Sequence, residues 1–70
     1  VSVPTREEVA GGIERAQETL YGLQAGIDGL RSWADEIPRG GLIALDLERA
    51  LIRIAAAARH LDRALQEAQR

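Results

Sequence analysis

Apolar residues recur along this chain at alternating spacings of four and three, and they do so twice. The first run is Val9, Ile13, Ala16, Leu20, Leu23, Ile27, Leu30, Ala34 and Ile37; the second is Ala44, Leu47, Leu51, Ile54, Ala58, Leu61, Leu65 and Ala68. Each is an unbroken heptad seam of the coiled-coil type, which only an amphipathic helix presents on one face. Between the runs stands Ile37-Pro38-Arg39-Gly40-Gly41. Pro38 cannot continue a helix and disfavours helical backbone at Ile37, while Gly40-Gly41 gives the chain freedom to reverse. A start signal stands at Thr5-Arg6-Glu7-Glu8. It reads as a capping box, in which the Thr5 hydroxyl takes the Glu8 amide and the Glu8 carboxylate reaches back. The pattern predicts an all-α, antiparallel two-helix hairpin in one domain, residues 1–70. Helix 1 is expected over about 6–36, the turn over 37–41 and helix 2 over about 42–69.

Closing the hairpin at the turn pairs residues whose numbers sum to about 77 or 78. Ala34 then faces Ala44, Leu30 faces Leu47, Ile27 faces Leu51, Leu23 faces Ile54, and Leu20 faces Ala58. Every seam position finds an apolar partner over about 40 Å of helix. Charge agrees with this pairing. From Arg6 to Glu36 three Arg stand against seven acids, a net of −4; from Arg39 onward six Arg stand against four acids, a net of +2.

One seam does not use up the apolar surface. Ile43, Ala50, Ala57 and Ala64 form a second stripe on helix 2, and Leu45 and Ile52 lie further round. Helix 1 carries Gly22, Gly26 and Gly29 beside its seam. Glycine costs a helix interior about 1 kcal/mol relative to alanine, so three of them imply the close approach of another helix. A 70-residue chain with no cysteine has no disulfide to help a small core. The expectation is a homodimeric four-helix bundle, with Gly22, Gly26, Gly29, Ile43, Leu45, Ala50, Ile52, Ala57 and Ala64 at the self-association interface.

Chemistry finds little to work with. His60 is the single histidine, it lies opposite the seam, and its few hydroxyl neighbours in sequence are scattered. No nucleophile–base set, metal-ligand set or cofactor motif can be assembled, and the chain reads as non-enzymatic with no cofactor. Tyr21 and Trp33, the two aromatics, together with Arg49, Arg53 and Arg63, are residue types enriched where proteins meet. They are the candidate contacts for a partner protein, with Trp33 weighed also as a seal on the bundle end. The arginine face supports a weaker alternative, a small nucleic-acid-binding regulator, against which the net charge of −2 and the interspersed acids count.

Charges at Asp46, Glu48, Arg49 and Arg53 exclude a membrane span from the most apolar stretch. Val1-Ser2-Val3-Pro4-Thr5 lacks the basic and apolar runs of a leader, which leads to a cytoplasmic expectation. Arginine without lysine or asparagine points to a GC-rich coding sequence, as in an actinobacterium or its phage. A tryptophan near the turn of a two-helix hairpin resembles the WXG100 class of small secreted hairpins. That resemblance implies export as a further alternative. The segment here is Trp33-Ala34-Asp35, which departs from that class by lacking a glycine two residues after the tryptophan. The leading reading is a protein-interaction or scaffolding module acting through self-association and a partner protein.

Overall fold

The computed structural model describes residues 3–70; Val1 and Ser2, which open the segment inspected for a leader, lie outside the described residues. Two helices make up the fold, α1 (Arg6–Glu36) and α2 (Gly41–Ala68), packed antiparallel in a rod of 54 × 18 × 18 Å. Both spans agree with the sequence pattern to within a residue at each end.

At the start of α1 the Thr5 hydroxyl accepts the Glu8 amide at 3.1 Å. Half of the capping box is thus formed; among the described residues the Glu8 carboxylate makes no return bond. Helix α1 ends where Pro38 requires it to, and the Ile37 amide closes on the Ala34 carbonyl at 3.4 Å. The reversal itself is built differently from the expectation. Neither glycine takes a positive φ; Arg39 does, at 61°. Gly40 is needed instead for space, because a Cβ there would overlap the Ala34 carbonyl oxygen and sit 2.8 Å from Ile37 Cγ1.

The seam between the helices is rotated from the one read in the sequence. On α1 the more buried line is Ala10, Ile13, Gln17, Leu20, Gln24, Ile27, Arg31 and Ala34. Positions 13, 20, 27 and 34 are common to both lines. Val9, Ala16, Leu23 and Leu30, expected in the seam, are exposed beside it. Polar pairs span the other edge of the seam. Gln17 Nε2 donates to Asp62 Oδ1 at 2.6 Å, and Arg31 Nη2 stands 3.5 Å from Glu48 Oε1. Both pairs have residue numbers summing to 79, one step from the expected register. On α2 the expected seam holds, with Ala44 and Ile54 buried.

The resulting core is thin. Ala10, Ala34, Ala44 and Ile54 are its buried apolar residues, and no large side chain is fully enclosed. Across the open ends of the helices, Arg6 Nη1 donates to the Glu67 carbonyl at 2.9 Å and the Arg70 carbonyl at 3.4 Å. A cation from α1 thereby satisfies carbonyls at the C-terminal end of α2, where its own last turn has no basic residue.

Candidate protein-interaction surface

The rotation of α1 gives the hairpin two unlike broad sides. One carries the polar pairs Gln17–Asp62 and Arg31–Glu48. The other carries what the seam left out. Near the turn, Leu30, Trp33, Ala34 and Ile37 of α1 and Ile43 and Leu47 of α2 line an apolar groove of about 270 Å³. This groove fixes which flanks of the two helices share a side. Heptad spacing then extends the side down the rod, because residues seven apart lie nearly above one another on a helix. From Leu30 it runs to Leu23, Ala16 and Val9; from Ile43 it runs to Ala50, Ala57 and Ala64.

This side is apolar and open. Leu23 is 52% exposed, Leu30 49%, Trp33 69% and Ile43 51%. The next stripe outward on its α1 half is Gly12, Thr19, Gly26 and Trp33, none of them charged, with the Arg15 guanidinium lying against Gly12 at the far end. The outer rim of its α2 half is charged, with Asp46, Arg53, His60 and Glu67. Large residues sit on α1 and mostly alanine on α2. Such a contiguous exposed apolar side is unusual for a monomer.

The expected interface residues divide over this geometry. Ile43, Ala50, Ala57, Ala64 and Gly26 belong to the open apolar side. Leu45 and Ile52 do not: each lies one turn before the polar-edge line of Glu48 and Ala55, on the opposite side of α2. Gly22 and Gly29 lie on the outward surface of α1. A Cβ at Gly22, Gly26 or Gly29 would meet no atom within 4 Å, so packing within the hairpin requires none of these glycines. Tyr21 falls toward the polar side, while Arg49 and Arg63 point away from α1; Arg53 is on the apolar rim. Arg49 is 3.4 Å from Asp46 on its own helix.

In the single hairpin Trp33 stands at the lip of the groove, largely in solvent. The apolar character of Val9, Leu23 and Leu30 was plain in the sequence, but its assignment to an intramolecular seam hid their availability. The signal that could have shown it was the row of Gln17, Gln24 and Arg31, whose spacing matches Asp62, Ala55 and Glu48 across the turn.

Among the described residues no helix is long and apolar enough to cross a membrane. No family model, curated protein or solved structure matches the chain.

Proposed function

We propose that this chain is a non-enzymatic protein-interaction module that works by self-association, and that the assembled form presents a surface to a partner protein. The observation that carries the reading is the open apolar side running from the Trp33–Ile43 groove to Val9 and Ala64. Leaving it in water forfeits roughly 25 cal/mol for each Å² of apolar area that could be buried. A hairpin whose own core is three alanines and an isoleucine has little to set against that loss.

The partner half of the reading rests on a different surface. Leu42, Leu45 and Ile52 are exposed on α2 away from the apolar side, around Arg49. Self-association through the open side would leave them outward. Exposed apolar residues beside an arginine are residue types found at protein-binding hot spots.

Sedimentation equilibrium at tens of micromolar tests the self-association directly. The expected result is a species of twice the 7.6 kDa chain mass. A well-folded monomer over that range would overturn the reading.

A further inference from the structure

We infer that the occupant of the apolar side is a second copy of the hairpin, related by a twofold axis along the rod, so that both turns lie at one end and α1 packs on α2 of the partner. This rests on the self-association proposed above and adds its geometry. The first support is the direction of the apolar stripe on α1. A helix with one neighbour centres its apolar stripe on that neighbour, whereas a helix in a four-helix bundle centres it on the bundle axis, between two neighbours. On α1 the line facing α2 is 10/13/17/20/24/27/31/34, and the apolar line is 9/13/16/20/23/27/30/34/37. The second is turned from the first by about 50°, about half the right angle between adjacent neighbours in a square bundle, and it turns toward the open side. Helix α1 is therefore patterned for a second neighbour on that side.

The second support is register. Rotation about an axis along the rod leaves every residue at its own height. Residues facing across the new interface must then have numbers summing to nearly the same value as those facing within the hairpin. Within the hairpin that sum is 79, from Gln17–Asp62 and Arg31–Glu48. Across the open stripes, Ile37 with Ile43 of the partner subunit sums to 80, as do Leu30 with Ala50 of the partner subunit, Leu23 with Ala57 of the partner subunit, and Ala16 with Ala64 of the partner subunit. Leu30 and Leu23 each meet an alanine, which keeps the helices evenly spaced. The alternative twofold, across the rod, would place Leu23 against its own copy and leave the alanines of α2 about two residues out of step.

Charge and area agree. With the axis along the rod each helix has only neighbours of opposite net charge, −4 against +2; with the axis across it, α1 would lie on α1. The charged rim of α2 comes to rest beside the uncharged Gly12, Thr19, Gly26 and Trp33 stripe, and Gly26 leaves room for Arg53 of the partner subunit. A side of 54 by 18 Å is large enough for the roughly 800 Å² per partner of a standard interface.

Disulfide trapping in the full chain tests the arrangement, on a background free of native cysteine. Leu23→Cys and Ala57→Cys chains are prepared separately, mixed, and oxidised. The mixture is expected to yield a reductant-sensitive band of doubled mass holding one chain of each kind, and neither variant alone should yield it. Ala16→Cys with Ala64→Cys repeats the test with near-isosteric changes, and helical circular dichroism verifies that each variant is folded. Self-linking of Leu23→Cys alone would overturn the geometry in favour of the axis across the rod. Failure of both mixtures to link, while the parent still sediments as a dimer, would also overturn it and leave self-association standing. A monomeric parent would remove the underlying reading.

Discussion

Gly40 and Gly41 stand side by side and do different work. A Cβ on Gly40 would run into the Ala34 carbonyl, a backbone atom that cannot move aside, whereas Gly41 has nothing within 4 Å. Gly40→Ala should therefore destabilise by more than about 1 kcal/mol, since its backbone cannot take the added atom without strain. Gly41→Ala, at the first position of α2, should stabilise by about 0.4–1 kcal/mol through reduced freedom of the unfolded chain. Urea titrations at one fixed protein concentration give both values. Equal behaviour of the two variants would show that the turn is not built as described. Between Pro38 and Gly40, Arg39 holds the left-handed conformation that the sequence assigned to the glycines. The pair was legible as a turn because proline and glycine punctuate helices. Which residue would bend left was not, because that depends on how closely Gly40 nests against the last turn of α1.

The elements were legible almost to the residue, and for a physical reason: Thr5, Pro38 and Gly40 are signals that act locally on the backbone. The rotation of one helix against the other is not local. Two lines on α1 share Ile13, Leu20, Ile27 and Ala34, and the sequence alone favours the wholly apolar one over the one that carries Gln17, Gln24 and Arg31. The hairpin presents the other, in which Gln17 and Arg31 meet Asp62 and Glu48 across the turn. A further long-range contact was invisible for the same reason. Arg6 is one of nine arginines, and nothing in its neighbourhood shows that it reaches the Glu67 and Arg70 carbonyls. Arg6→Ala should weaken the hairpin by about 0.3–1 kcal/mol, the usual worth of a cation at a helix C-terminus. Hydrogen exchange is the sharper readout: amides in the last turns of α2 should lose protection while those near the turn keep theirs. Uniform loss along both helices, or none at all, would count against an end-to-end tie.

At the scale of the whole molecule, the pattern and the packing describe different objects. On the proposal above, the apolar line of α1 suits a four-helix bundle, while one chain supplies two helices and buries mainly alanine between them. Folding and association should then be coupled, so the melting temperature of the parent should rise with protein concentration. Ala57→Glu probes the coupling at the middle of the α2 stripe. The open side of α1 has no cation at the level of Leu23, where the new carboxylate would lie, and Arg53 one turn away on α2 can meet it only by drawing it toward the rim. A buried charge without a partner is costly, and each 1.4 kcal/mol is a tenfold loss of affinity. The dissociation constant should rise by at least about tenfold to a hundredfold, equivalent to about 1.4–2.8 kcal/mol. Gln66→Glu adds the same charge at an exposed position off this side and should leave the assembly intact. Sedimentation and circular dichroism on the two variants separate the possibilities. Loss of mass with helicity kept means that the hairpin stands alone once freed. Loss of both means that it folds only as part of the bundle. If Ala57→Glu matched the parent in mass and melting curve, the apolar side would not be where copies of this chain meet.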